Sequence, residues 1–375
     1  MSAPRHRRLL VITGHADACR AAAARLVSGV EALWITDCPV DAFDTLVAAH
    51  AHALLGGERA ALVFDGHAGF DVEAFGACAG MVRGGGLFLL LAPPLDEWPA
   101  RDEKEKARIA DFPHLPAAVS GRFLRRLVRV LREAGVPVLD ARGDLPSFTP
   151  PPAAPPGPTP DQAAAITAIR HTALGHAHRP LVLLADRGRG KSAALGLAAA
   201  GLLAEGYGRI AITAPRPAAA ETALAHARAA LPQAVQRGHA LTLDASSLVF
   251  AAPDALAAGE LAADLVLVDE AAAIPAPLLE RLLERFPRIV FSTTVHGYEG
   301  TGRGFAVRFA RVLDRRTPGW QQLTLRTPVR WDAGDPLEAL VFRALLLDAE
   351  PAPDEVFAGA LAHAQVERLD RDLLA

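Results

Sequence analysis

One stretch, LVLLADRGRGKSAALG at 181–196, limits what this chain can fold into more than any other. An apolar run of strand type stops at Ala185. A loop with two glycines and two arginines follows, and Lys191-Ser192 opens an alanine-rich helix. Residues 185–192, A-D-R-G-R-G-K-S, fit the phosphate-loop pattern G-x-x-x-x-G-K-[ST] except that Ala185 stands for the first glycine. Gly188 and Gly190 let backbone N–H groups converge on phosphate oxygens, and the helix start adds the positive end of its dipole. Lys191 is expected to reach the β- and γ-phosphates, and the Ser192 hydroxyl to ligate Mg²⁺. The lysine is informative in itself. The chain has 36 arginines and three lysines, Lys104, Lys106 and Lys191. A compact ammonium suits a tight phosphate cradle better than a guanidinium fork.

A second motif supports the first. LVLVDEAAAIP at 265–275 is an apolar strand pattern ending in Asp269-Glu270, the Walker B arrangement. Asp269 is expected to hold the Mg²⁺ shell and Glu270 to polarise the attacking water. Upstream, Gln162 lies just before the helix leading to the loop strand, where a glutamine can pair with the N6 and N7 edge of adenine. The chain has no asparagine, so the Asn-Lys-x-Asp guanine reader of GTPases is missing. Downstream, FSTTVHGYEGTGRGF at 291–305 places Ser292-Thr293-Thr294 at a strand end, like the Ser-Ala-Thr switch of helicases. Arg303 is a candidate phosphate contact, and His296 and Tyr298 are candidates for stacking on a base. Ordinary packing roles for these loop residues stay open.

The rest of the chain alternates strand and helix patterns, which argues for parallel sheets covered on both faces. Strands are expected at 8–14, 32–36, 60–66 and 86–94, with helices near 16–28, 41–55, 71–80 and 121–135. After a proline-dense segment, SFTPPPAAPPGPTPDQ at 147–162, come a helix at 160–176, the strand at 181–185 and a helix at 191–205. Further strands are expected at 209–215, 263–271 and 288–294. The expected fold is α/β: a Rossmann-like parallel-sheet domain over 1–146, a linker over 147–160 and a RecA-like P-loop NTPase domain over 161–350. Residues 351–375 read as a connector.

Net charge is −3, but it is unevenly spread. Residues 281–330 hold ten arginines against three acids, and 331–375 hold ten acids against three arginines. A phosphate-facing stripe, with Arg308 and Arg311 as RNA candidates, and plain solvated helix faces are both compatible with this. The three cysteines, Cys19, Cys38 and Cys78, have no metal-type spacing and argue against structural disulfides. No apolar run approaches the ~18 residues of a membrane span, and no secretory leader is recognisable. A cytoplasmic protein is expected.

LLADRGRGKSAALG, LVDEAAAIP and STTVHGYEGTGRGF together resemble the ATPase core of the tRNA(Met) cytidine acetyltransferase family, and LVFDGHAGFDVEAFGACAGMVRGGGLFLLLAPP resembles its N-terminal domain. LRTPVRW at 325–331 resembles the segment that supplies a nucleotide-contacting arginine, here Arg330. The resemblance implies ATP- or GTP-driven handling of elongator tRNA(Met) during N4-acetylcytidine formation at the wobble position. It implies nucleotide contacts from Gln162, Leu184, Ala185, Asp186, Arg187, Gly188, Arg189, Gly190, Lys191, Ser192, Ala193 and Arg330. Acetyl-CoA enters only through an acetyltransferase domain of the GNAT class, for which no phosphate-cradling loop is recognisable here. QVERLDRDLLA resembles the connector before that domain, so acetyl transfer is not expected from this chain alone, and a separate acetyltransferase domain is a candidate partner. Two other readings stay open: a generic superfamily 1/2 helicase, and an RNA-binding scaffold whose nucleotide site only stabilises the fold.

Overall fold

The computed structural model describes residues 4–54, 57–101, 104–150, 152, 157–295 and 302–349. The chain divides into two compact units, residues 1–154 with 334–375, and residues 155–333.

In the first unit, β1 (Arg8–Thr13), α1 (Ala16–Leu26), β2 (Ala32–Ile35), β3 (Asp44–Leu46) and β4 (Arg59–Asp65) come in sequence. They are followed by α2 (Val72–Ala79), β5 (Val82–Ala92), α3 (Lys104–Ile109), α4 (Arg122–Glu133) and β6 (Val138–Asp140). The six strands form one sheet in the order β3-β2-β4-β5-β1-β6, and every pairing is parallel. β2, β4 and β5 read as nearly unbroken apolar runs because both faces are covered. Residues of α1 pack on one face around Trp34, Val63 and Leu89. Residues of α2 and α4 pack on the other around Phe64, Phe75 and Phe88. The helix expected near 41–55 is absent. Ala42 adopts a left-handed conformation (φ 68°), residues 44–46 pair with β2 as an edge strand, and a 3₁₀ segment follows at Ala48–Leu54.

The second unit opens with α5 (Pro160–Leu174), β7 (Leu181–Ala185), α6 (Lys191–Ala204), β8 (Arg209–Thr213) and α7 (Pro217–Ala230). It continues with β9 (Val235–Arg237), β10 (Ala240–Leu243), β11 (Ser246–Phe250), α8 (Pro253–Ala258) and β12 (Leu265–Val268). α9 (Ala276–Arg285), β13 (Ile289–Thr294), α10 (Gly302–Arg316) and β14 (Gln321–Leu325) complete it. The sheet order is β14-β7-β13-β12-β8-β11-β10-β9. From β14 to β11 all pairs are parallel, and β9 and β10 add an antiparallel edge. The architecture is that of a RecA-like P-loop fold. α5, α6 and α7 cover one face, and α8, α9 and α10 the other. Sequence patterning missed the 235–250 strands, because they are only three to five residues long and their polar and apolar residues follow no clear period.

The final described helix, α11 (Pro336–Leu345), belongs to the first unit, although the sequence places it at the end of the ATPase region. Its apolar face, Leu337, Leu340, Val341 and Ala344, joins the core formed with α2 and α4. Its anchor is Asp335, which is 1% exposed, and Arg7, which is 2% exposed. One Asp335 oxygen accepts from the Arg7 backbone at 2.7 Å, and the other from Arg7 Nε at 3.0 Å and Nη2 at 2.8 Å. Asp335 also caps α11 through the Glu338 N–H at 2.8 Å, and Arg7 Nη1 donates to Ala79 O at 2.6 Å. Removing one partner of such a pair leaves a buried charge unmatched. Asp335→Ala is expected to destabilise the first unit by roughly 3–5 kcal/mol, read as a lowered urea midpoint at unchanged m-value.

Candidate nucleotide site

β7 and its neighbours set the site. Ala185, the last residue of β7, is in register with Thr294 of β13 and Leu325 of β14. Val268 of β12 is in register with Phe291 of β13 and Thr213 of β8. All these strands end at the same edge, so the segments following β7, β12, β13 and β14 emerge side by side.

The 186–190 loop leaves β7 and enters α6 through two left-handed glycines, Gly188 (φ 78°) and Gly190 (φ 75°). A side chain at Gly188 would stand 2.7 Å from the Trp331 ring, and one at Gly190 would stand 2.7 Å from Val329 and closer still to Gln162. Only glycine meets both the conformation and the space. Val329 N donates to Gly188 O at 3.0 Å, and Gln162 Nε2 donates to Gly190 O at 3.1 Å. Lys191, at 6% exposed, begins α6 and donates from Nζ to Thr294 Oγ1 at 2.9 Å. The Thr294 hydroxyl faces both Glu270 carboxylate oxygens, at 3.4 and 3.3 Å. A cation from one strand end, a hydroxyl from a second and a carboxylate from a third therefore meet in one place.

Asp269 is wholly buried. Its Oδ1 accepts from Ser292 Oγ at 3.1 Å and from Glu270 N at 3.0 Å. Among the described residues its Oδ2 is buried with no hydrogen-bond partner. An unmatched oxygen on a carboxyl group with which the Ser192 hydroxyl interacts fits the Mg²⁺ expected there: hard cations take oxygen ligands of this kind. Glu270 itself is left-handed (φ 48°, ψ 48°), a conformation unfavourable for a residue with a side chain. It leads into a 3₁₀ turn at Ala271–Ala273.

Other residues singled out in the sequence have these positions. Leu184 and Ala185 are buried in β7, and Ala193 is buried in α6. Ser192 is half-buried in the first turn of α6. Asp186 and Arg189 face each other at 3.9 Å, and Arg189 Nη1 donates to Arg187 O at 3.1 Å. Arg330 is half-buried beside the loop-contacting residues Val329 and Trp331. Arg308 and Arg311 are exposed on α10. Arg303 lies near the start of α10, its side chain outside the described residues; His296 and Tyr298 also fall outside them. The sequence reading did not single out Trp331, Val329 or Asp161. Asp161 Oδ2 accepts from both Arg326 N and Thr327 N at 2.7 Å, which lowers its pKa and ties the start of α5 to the segment after β14. Nothing in residue type alone marks an aspartate in a first helical turn as such a tie.

Burial pushes the Asp269 carboxyl up to about 6; the Glu270 charge adds to this, while the Ser192 hydroxyl and Lys191 ammonium oppose it. The folded chain thus holds this proton more tightly than a free carboxyl of pKa 3.8 would. Its contribution to stability is full below the free value and lost as pH rises through about 6. Asp269→Asn keeps the Oδ1 acceptor and removes the buried charge. The variant is expected to melt above the wild-type chain at pH 7.5 in EDTA, with the gap closing toward pH 4. Thermal denaturation across that pH range checks it.

Residues 1–141 match the family model of the tRNA(Met) cytidine acetyltransferase TmcA N-terminal domain, and residues 182–348 match that of the RNA cytidine acetyltransferase NAT10/TcmA helicase domain. The tRNA(Met) cytidine acetyltransferase TmcA of Nitrosococcus halophilus is 51% identical over 388 residues, an alignment covering 98% of this chain and 52% of that protein. Its namesake in Haloferax volcanii is 39% identical over 395 residues, covering 96% of this chain and 52% of the relative. The chain thus spans about half the length of these curated relatives. Among solved structures, the large terminase of a thermophilic bacteriophage matches with a TM-score of 0.36 and 12% identity, over 48% of this chain and 47% of that one. No helix among the described residues is long and apolar enough to cross a membrane. With both domain families matched in order along one chain, this protein belongs to the tRNA(Met) cytidine acetyltransferase family, of which it carries the N-terminal and helicase-type domains.

Proposed function

We propose that the second unit binds ATP or GTP with Mg²⁺ and hydrolyses it, coupling the reaction to the handling of tRNA, in particular elongator tRNA(Met), for N4-acetylation of its wobble cytidine. The observation that carries this reading is the meeting of Lys191, Thr294 and Glu270 beside a buried Asp269 at the carboxyl edge of a parallel sheet.

The chemistry follows from those positions. The α6 N-terminus and the loop N–H groups favour the phosphate charge, and Lys191 adds a full cation. A β/γ-phosphate entering the loop draws the Lys191 ammonium from Thr294, whose hydroxyl keeps its hold on Glu270. Glu270 then orients the attacking water and accepts its proton. Ser192 and Asp269 Oδ2 would hold Mg²⁺, which would supply charge neutralisation at the phosphate oxygens. Asp269 Oδ1 is kept in place by Ser292. The tRNA substrate rests on family membership, since the relatives are tRNA(Met) cytidine acetyltransferases over a length greater than this chain's. Arg308 and Arg311, exposed on α10, offer phosphate-binding cations, and Arg303, His296 and Tyr298 are further candidates for RNA. Acetyl-CoA chemistry is assigned to no residue here.

Hydrolysis with and without tRNA is the direct test. Lys191→Ala is expected to cost about 10²–10³-fold in turnover, by loss of charge stabilisation at the transferring phosphate. Glu270→Gln is expected to bind ATP within a few-fold of wild type and lose at least roughly 10²-fold in turnover, as for removal of a general base. Wild-type turnover in a folded Lys191→Ala variant would reject the site. Equal loss of binding and turnover in Glu270→Gln would move Glu270 to a metal-holding role. Turnover indifferent to tRNA would separate the ATPase from RNA handling.

A further inference from the structure

We infer that Gln162 is a positioning residue of the phosphate loop and not a reader of the base. This rests on the nucleotide site proposed above. Reading adenine through its N6 and N7 edge takes both the oxygen and the nitrogen of one carboxamide. Each end of Gln162 already spends one of its two hydrogen-bonding sites on backbone, and burial closes the rest to a base. Oε1 accepts from Thr159 N at 3.0 Å, closing the capping box in which Thr159 Oγ1 accepts from Gln162 N at 3.2 Å. Nε2 donates to Gly190 O at 3.1 Å. The residue is 2% exposed.

The carbonyl it holds is the one that matters. Gly190 is the N-cap of α6, and its peptide links to Lys191. In a trans peptide the C=O and the following N–H point in opposite directions. Gly190 O accepts from Ala194 N at 3.0 Å in the first turn of α6 as well as from Gln162 Nε2, and the two bonds together turn the Lys191 N–H away from it, into the loop. Val329 does the same to the peptide between Gly188 and Arg189, by donating to Gly188 O at 3.0 Å. The Trp331 ring backs Gly188, and Asp161, next to Gln162, fixes Arg326 and Thr327. The start of α5 and the 326–331 segment thus form a collar. It turns loop carbonyls outward and loop N–H groups inward before any phosphate arrives, and it acts on the phosphates whatever base is attached.

Two variants and three ligands test this. Gln162→Glu keeps an acceptor for Thr159 N, as capping boxes with glutamate do, but cannot donate to Gly190 O. Gln162→Ala removes the donor without adding charge. Binding of ATP, GTP and inorganic triphosphate, each with Mg²⁺, is measured by titration calorimetry beside the melting temperature. The expected result for both variants is a loss of roughly tenfold, shared equally by all three ligands, with Gln162→Glu melting close to wild type. Loss confined to ATP would overturn the inference in favour of adenine reading. Unchanged affinity for all three would leave Gln162 as a helix cap alone, and would overturn it as well. If the wild-type chain binds none of the three, the nucleotide site itself falls, a result distinct from either. Should Gln162→Glu not fold, the ratio of ATP to triphosphate affinity in Gln162→Ala decides between loop and base.

Discussion

The parallel pairing of β7 on both sides is the constraint on which the second unit depends. β7 is five residues, all buried, and it pairs with β13 on one side and β14 on the other. That pairing brings Thr294 and Leu325 level with Ala185. Because all three strands run the same way, their following segments leave at one edge, where unpaired strand ends and a helix N-terminus coincide. The Lys191–Thr294 hydrogen bond and the collar on Gly188 and Gly190 are consequences of this register. A one-residue slip of β13 would turn Thr294 to the opposite face and separate it from Lys191.

The site works against stability at several points, and the sheet around it makes that tolerable. Asp269 is a buried carboxylate with one unmatched oxygen, and Glu270 is left-handed. Both features cost free energy in isolation. They follow directly on β12, whose four residues are all buried and which pairs on both sides, with β8 and β13. Asp269 N still completes the ladder by donating to Thr213 O at 2.8 Å. The backbone is therefore fixed up to the residue that bears the strain. Ser292, itself wholly buried, matches Oδ1 and leaves only Oδ2 open.

The α/β character of both units and the centre of the candidate site were legible in the sequence because they depend on local pattern. Apolar runs covered on both faces, followed by Gly-x-Gly-Lys-Ser or Asp-Glu, carry their meaning within ten residues. What was not legible depends on distant partners. Trp331 reads as an ordinary aromatic until it lies on Gly188. Asp161 reads as a favourable first-turn acid, which it is, and also holds a segment 165 residues away. α11 follows the strands of the second unit in sequence, and its apolar face with the buried Arg7–Asp335 pair shows which core it serves. Gln162 carries two signals: its position suggests base reading, and its capping box with Thr159 is visible as Thr-x-x-Gln.

The two units show how little the sheet alone decides about chemistry. Each is a parallel sheet with helices on both faces and acidic residues at strand ends. In the first unit Asp65 ends β4, much as Asp269 follows β12. Yet Asp65 accepts from Arg20 Nε at 2.7 Å, from Thr36 Oγ1 at 2.9 Å and from His67 N at 3.1 Å, using both oxygens. Its charge is matched within the fold. The turn after β1 runs Gly14-His15 into α1, with no lysine and no side-chain cap. In the second unit the equivalent acid keeps an oxygen open, and the first βα turn supplies a lysine and two left-handed glycines. The difference between a carboxylate whose two oxygens are both matched and one with an oxygen unmatched among the described residues lies in a few side chains around the same strand-end geometry.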